Sequence, residues 1–461
     1  MKRICTFLLL FISTLALAAP RTMRLDYYHT GDMGRETFSV DRIVLEPLAW
    51  PGNPAKNIDE SNLGKYFFEV RDRQTNRVLY SRGFASIYGE WETTEEAKHA
   101  AQTFSESLRF PAPEAPVVIA LYKRDDENAF RPLWSTVIDP KSMFVDSSRP
   151  PSPGPLLELQ KSGDSANKVD FLILGDGYAA ADRAKFEKDA RRLVDILFST
   201  SPFKEHRADF NVWGLCPPSE QSGISRPSTG VHHRTPVGAT YDAFGSERYV
   251  LTFENRHMRD VASFAPYEFV EVLANGNTYG GGGIYNLYST VAADSLWSPY
   301  VFVHEFGHHF AGLADEYYTS DVSYLPPAHK MEPWEPNVTA LLDPATLKWK
   351  DLVTTGTTLP TTWKKEEFEA FSREIQKQRR EIRRQNQPES VMDALFTEEK
   401  KHEDELLASD KASNAVGAFE GANYEAKGYY RPQENCIMFT RLDRFCAVCK
   451  RAIERVISMY T

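Results

Sequence analysis

Val301-Phe-Val-His-Glu-Phe-Gly-His-His-Phe-Ala-Gly-Leu-Ala-Asp-Glu-Tyr-Tyr318 is the stretch on which the reading of this chain turns. His304, Glu305 and His308 stand in the spacing H-E-x-x-H. Four residues advance an α-helix by just over one turn, so both imidazoles share a face. Such a pair grips one Zn²⁺ at about 2.0–2.1 Å per nitrogen. Glu305 sits beside the first histidine and reaches the water that a metal polarises without being a ligand itself. Val301-Phe-Val303 gives the helix an apolar side, and Gly307 is small where the helix must sit close under a sheet. Gly312 can end the helix in a left-handed cap. Asp315 and Glu316 follow that turn. A carboxylate there completes a three-ligand set and leaves the fourth position to water. Asp315 is the first choice and Glu316 the second. His309 points about 100° away around the helix and reads as a supporting or structural residue. The plainer alternative is a pair of core histidines in a helix.

Before this helix, Tyr279-Gly-Gly-Gly-Gly-Ile-Tyr-Asn-Leu-Tyr-Ser-Thr-Val291 carries four glycines that let another backbone approach closely. Residues 284–291 alternate and read as an edge strand. The segment is either a cleft rim, where a peptide adds as a further strand, or a flexible hairpin. Further upstream, residues 171–174 form an apolar run typical of a strand buried on both faces. Residues 180–198 then read as a helix with Phe186, Ala190, Leu193 and Leu197 on one face. Further strands are expected at 210–215 and 269–273. Alternating strands and helices imply an α/β sheet. Gly175-Asp-Gly177 lacks the G-x-G-x-x-G spacing and reads as a plain turn. Residues 364–410 are charged, with Phe368, Phe371, Ile375 and Ile382 at 3–4 spacing and a break at Asn386-Gln-Pro388. They predict a helical hairpin inserted at the surface.

Residues 19–145 predict an all-β sandwich, with strand-like runs at 37–45, 65–70, 77–84 and 117–122. They hold no arrangement of catalytic residues, and packing or positioning is the role expected of them. Residues 146–167 form a Pro-rich linker, and residues 168–461 the α/β domain. At the start, Lys2 and Arg3 precede an apolar run at 7–17, and Ala16-Leu17-Ala18 offers a cleavage site. Residues 1–18 therefore read as a signal peptide, so the chain is exported to the periplasm or beyond. The run is too short for a membrane span, which needs about 20 apolar residues. With 26% charged residues and a net charge of −10, the composition is globular and argues against nucleic acid as a partner. Cys216, Cys436, Cys446 and Cys449 remain after the leader is removed. Export favours a disulfide among Cys436, Cys446 and Cys449, and the single C-x-x-C gives only a weak case for a structural zinc site.

Several of these stretches resemble the metzincin group of zinc peptidases and, more closely, its IgA peptidase family. The resemblance is carried by the string from His304 to Tyr318, by Leu174-Gly-Asp-Gly-Tyr178, by Tyr279-Gly-Gly-Gly-Gly-Ile-Tyr-Asn286 and by Asn435-Cys-Ile-Met438. It spans about 168–461 and, less specifically, the β-domain before it. It implies His304, His308 and Asp315 as zinc ligands, Glu305 as general base and Met438 as the methionine turn beneath the metal. Two positions depart from the group's pattern. Ala314 stands where ordinary metzincins place a histidine, and Thr440 stands two residues after the methionine, where many carry a tyrosine. Tyr317, Tyr429 and Tyr430 are the candidates to stabilise a transition state instead. The expectation is an exported zinc endopeptidase acting on a protein or glycoprotein, with an immunoglobulin suggested by the family's name. The competing expectation is a glycan- or protein-binding module that kept the fold without catalysis.

Overall fold

The computed structural model describes residues 20–326 and 329–461. The expected leader at 1–18 lies outside the described residues. Among the described residues, the N-terminal region is all-β apart from one short α-helix and two 3₁₀ turns. Its strands are β1 (Arg21–Gly31), β2 (Glu36–Ala49), β3 (Tyr66–Asp72), β4 (Val78–Phe84), β5 (Gln102–Pro111), β6 (Val117–Arg124), β7 (Phe130–Ile138) and β8 (Val145–Asp146). They form two four-stranded sheets, β5-β1-β2-β8 and β4-β3-β6-β7. Met23, Leu25 and Leu108 of the first sheet meet Phe68, Val70, Ile119 and Leu121 of the second in one core. Each such large side chain contributes about 1.5–3 kcal/mol by leaving water.

The opposite face of β1 is buried as well. Arg24 and Asp26 are both sealed from solvent there. Arg24 Nε donates to Asp26 at 2.8 Å, and Arg42 Nη2 donates to Asp260 of the second region at 2.6 Å. Arg109 lies 3.6 Å above the ring of Tyr267. The sequence reading missed β1, β5 and β7. Charged residues on a strand suggest a solvent face, and in β1 that face is an interface instead. Helix α1 (Ile87–Trp91) is capped by Ser86, whose Oγ accepts from the Gly89 amide. Its Ile87, Tyr88 and Trp91 enter a core otherwise built mainly by the second region.

The second region is a mixed α/β unit. Its strands are β9 (Leu157–Gln160), β10 (Val169–Asp176), β11 (Phe210–Leu215), β12 (Ala239–Thr240), β13 (Leu251–Thr252), β14 (Phe269–Ala274), β15 (Gly281–Ile284) and β16 (Tyr288–Ala292). The main sheet runs β15-β16-β14-β10-β11-β9. Its four central strands are parallel, and β15 and β9 are antiparallel edges. Phe171 and Ile173 of β10 face one core, and Leu172 and Leu174 face the other. A strand covered on both sides has to be apolar throughout. Helix α2 (Arg183–Leu197) buries Phe186, Ala190, Leu193 and Leu197 as its spacing requires, and α3 (Asn255–Ala262) packs on β5.

Three details differ from the sequence reading. Leu157 and Leu159 of β9 fall inside the expected linker, yet they pack against the core as a sheet edge. The edge at the glycine run is β15, and β16 lies inside the sheet. The helical hairpin, α5 (Lys365–Arg384) and α6 (Glu389–Ala408), is more than a surface insertion. Glu389 accepts from the Tyr279 amide at 3.0 Å, and Arg379 and Arg383 both pair with Glu247. Phe368, Met392 and Phe396 join the main core.

Candidate metal centre

Helix α4 (Ser298–Ala311) crosses beneath the sheet with Phe306 and Phe310 against Phe171 and Phe269. Gly312 stops it with φ +59°, and the Gly312 amide donates to the His308 carbonyl at 3.0 Å. A side chain at Gly312 would meet Trp334 at 2.7 Å, so the cap position is constrained twice. Gly281 and Gly283 let β15 lie directly on α4. A Cβ on Gly283 would come within 2.2 Å of the Glu305 carbonyl oxygen. Gly307 does not face the sheet as expected. It faces Met438, whose Sδ would stand 3.2 Å from a Cβ there. Met438 is buried under the helix, one layer below the histidines.

His304 Nε2 and His308 Nε2 stand 3.2 Å apart. Asp315 Oδ1 lies 3.0 Å from the first and 3.3 Å from the second. Donors about 2.0–2.1 Å from one tetrahedral ion are separated by about 3.3–3.4 Å. The three atoms therefore form the face of such a tetrahedron. Their other hydrogen bonds leave them free for it. His304 Nδ1 donates to the Ile437 carbonyl at 2.9 Å, and His308 Nδ1 to the Leu313 carbonyl at 2.5 Å. Each tautomer then turns Nε2 inward as an acceptor. Apart from the two histidine nitrogens, the buried Asp315 Oδ1 has no polar partner, while its Oδ2 accepts from Tyr424 at 2.6 Å.

The electrostatics also ask for a cation. Burial opposes the charge of His308, but Asp315 and Glu305 outweigh it and raise the imidazole to about 9. Burial likewise opposes ionisation of Asp315, yet the two histidines hold it well below the usual carboxylate range. Glu305 lies on the same turn, with its carboxylate within 4.8 Å of the histidine nitrogens and its pKa raised by burial.

Tyr424 was not anticipated. It sits at the tip of the hairpin formed by β17 (Phe419–Ala422) and β18 (Glu425–Arg431). Asn423 and Tyr424 have φ of +54° and +65°. Two positive φ values make the type I′ turn that suits a two-residue hairpin, and a non-glycine residue there costs about 1–2 kcal/mol. The turn docks on the site: the Asn423 amide donates to the Asp315 carbonyl and the Tyr424 amide to the Tyr317 carbonyl, at 2.9 and 3.0 Å. The sequence signal was Gly421-Ala-Asn-Tyr424, a turn tetrapeptide ending in an aromatic.

The histidines open onto a cleft of about 750 Å³. Tyr317 lines it, and Arg248 donates to its hydroxyl at 3.2 Å. Tyr429 reaches its rim, where its hydroxyl accepts from the Met331 amide at 3.4 Å. Tyr430 does not line the cleft and pairs with Thr339 through its backbone. Glu90, Glu92 and Lys123 of the N-terminal region form part of the wall, so that region shapes the cleft as well as packing on it.

His309 is structural. Its Nδ1 donates to the Ile284 carbonyl and its Nε2 accepts from the Val270 amide, which ties α4 to the sheet. Glu316 is not a third ligand of the histidine site. It points away from the histidines toward Cys446 and Cys449, and its amide donates to the Met438 carbonyl at 2.8 Å. The disulfide expected among Cys436, Cys446 and Cys449 is not formed. All three are free thiols, with Cys436 Sγ and Cys449 Sγ 3.8 Å apart against about 2.05 Å for a bond.

The family model described as IgA Peptidase M64 matches residues 157–457, and that of the Peptidase M64 N-terminus matches residues 16–135. No curated protein matches the chain. The chain belongs to the IgA peptidase M64 family. It is therefore a metallopeptidase, a hydrolase of peptide bonds. The family match favours that reading over the non-catalytic binding module. Among the described residues no helix is long and apolar enough to cross a membrane.

Proposed function

We propose that this protein is an exported zinc endopeptidase with a metzincin-like site, in which His304, His308 and Asp315 hold the ion. The observation that carries the reading is the triangle of Nε2, Nε2 and Oδ1, with edges of 3.0–3.3 Å and an oxygen otherwise without a partner. Two imidazoles and one carboxylate suit zinc in an open catalytic site. When bound, the ion supplies Lewis acidity toward water and toward the scissile carbonyl. Met438 under Gly307 supports α4 from below, in keeping with a methionine turn.

Glu305 is the general base. Its half-buried carboxylate takes a proton from the attacking water as the new C–O bond forms. It then returns that proton to the amine nitrogen as the C–N bond breaks. Tyr317, with Arg248 at its hydroxyl, faces the cleft and is the group best disposed to donate to the developing oxyanion. Tyr424 orients Asp315 through Oδ2. The substrate is a protein or glycoprotein chain entering the cleft in extended form, and an immunoglobulin is one substrate to test.

Glu305→Gln tests the reading. Hydrolysis of casein and of immunoglobulin A should fall by about 10²–10⁴-fold, while metal content and thermal unfolding stay unchanged. A metal-loaded variant with full activity would remove Glu305 from the mechanism. Full activity of the unaltered chain after exhaustive chelation would remove the metal.

A further inference from the structure

A second cluster of metal-ligating side chains lies behind the first. Cys436, Cys446, Cys449 and Glu316 offer four donor atoms within 4.8 Å of one another, and all four residues are buried. We propose that they form a closed structural site for a thiophilic divalent cation of the zinc class, distinct from the catalytic centre.

The distances fit such an ion. Two sulfurs about 2.3 Å from a tetrahedral zinc stand about 3.8 Å apart, and a sulfur and a carboxylate oxygen about 3.5 Å apart. Cys436 Sγ and Cys449 Sγ are 3.8 Å apart. Glu316 Oε1 is 3.4 Å from Cys449 Sγ and 4.0 Å from Cys446 Sγ.

The surroundings suit thiolates. The Cys446 amide donates to Cys436 Sγ at 3.2 Å, and the Cys449 amide to Cys446 Sγ at 3.4 Å. Amide donors of this kind stabilise negative sulfur and orient it toward a metal. Asn337 Nδ2 fixes Glu316 Oε1 at 3.0 Å, while Glu316 Oε2 is buried without a partner. Arg431 is fully buried nearby, and its guanidinium donates to the carbonyls of Glu434 and Gly421. Three thiolates, a carboxylate and a divalent ion sum to −2, a charge that this cation partly offsets. Three cysteines also cannot all pair, and a disulfide would strand one thiol beside Glu316.

The site would join three distant pieces of chain. Glu316 directly follows Asp315, Cys436 precedes Met438, and Cys446 caps helix α7 (Ala447–Ile457). An ion there closes the excursion from 317 to 435, which contains the helical hairpin and Tyr424. Binding displaces protons from the three thiols to solvent.

Full-length protein prepared with zinc should carry two ions per chain by elemental analysis. Cys449→Ser should carry one, and Asp315→Ala should also carry one, having lost the other. Because a buried-ligand variant can fail to fold, the unaltered chain supplies the second readout. Cobalt substitution should add thiolate-to-cobalt charge-transfer absorption that persists in Asp315→Ala, and X-ray absorption at zinc should report sulfur neighbours at about 2.3 Å. One ion per chain with three free thiols after denaturation overturns the proposal. A disulfide between any two of these cysteines in the non-reduced peptide map overturns it equally. Neither result bears on the catalytic site, whose loss shows as the absence of the ion that Asp315→Ala removes.

Discussion

Asp315 and Glu316 are neighbours in the chain and serve different clusters. Asp315 turns to two histidines at the floor of the cleft, and Glu316 turns to three cysteines behind it. Once α4 stops at Gly312 the chain is no longer helical, and consecutive side chains point to opposite sides, as in extended backbone. The two clusters also differ in access. The histidine site opens onto a cavity of about 750 Å³, and the cysteine site is sealed. An open position belongs to catalysis and a closed set of four donors to structure. The contrast teaches that two adjacent carboxylates can be turned to clusters that differ in both donor chemistry and access.

The comparison breaks most directly by exchanging the two carboxylates' fates. Asp315→Ala should lower peptidase activity by more than the roughly 10–100-fold typical of an outer-shell partner, with the chain still folded by circular dichroism. Glu316→Ala should leave that centre's ligands intact and instead lower thermal stability. If Glu316→Ala lost activity without loss of fold or stability, the division of labour would be wrong. Chelation sharpens the same contrast in time. Under excess chelator one ion should leave quickly together with activity, and the second at least about tenfold more slowly, since a sealed site exchanges by local opening. A single kinetic phase for both ions would merge the clusters into one cooperative unit.

Tyr424→Phe removes only the hydrogen bond to Asp315 Oδ2. Metal affinity at the histidine site should fall by about 10–100-fold, read by competition with a fluorescent zinc chelator, with the cysteine site unmoved. The smallest expected effect concerns His309. Its burial lowers the imidazole from 6.5 to about 3. Above pH 6.5 both folded and unfolded chains hold it neutral, and its contribution is fully present. As pH falls from 6.5 toward 3 the unfolded chain takes a proton that the folded chain refuses, so stability is lost. The slope reaches at most about 1.4 kcal/mol per pH unit. His309→Gln keeps a donor for Ile284 and an acceptor for Val270 and should flatten that slope in urea unfolding from pH 7 to 4. An unchanged slope would assign the acid sensitivity to other groups.

Much of the fold was legible because its signals are local. The apolar run of β10, the face of α2 and the hairpin break at Asn386-Gln-Pro388 follow from spacing within one element. The missed elements owe their character to distant partners. Arg24 and Asp26 are buried because Asp260 lies across the interface, and β9 is a strand because β11 lends it a neighbour. The hairpin's narrow seam is apolar enough only because it packs on the main core.

The sequence by itself determined the pair His304 and His308 with Glu305 beside them, since one helical turn brings them together whatever surrounds it. It also determined the cap at Gly312, because a left-handed residue there suits glycine. It ranked Asp315 ahead of Glu316 as the third ligand without fixing the choice. That choice depends on which side of the exit strand faces the helix, and the strand is held by contacts with Met438 and Asn423, more than a hundred residues away. Tyr424, the wall contributed by the N-terminal region and the gathering of Cys436, Cys446 and Cys449 around Glu316 were likewise decided by tertiary structure. Helical spacing is written into neighbouring residues, whereas convergence across a long excursion of chain exists only once the chain has folded.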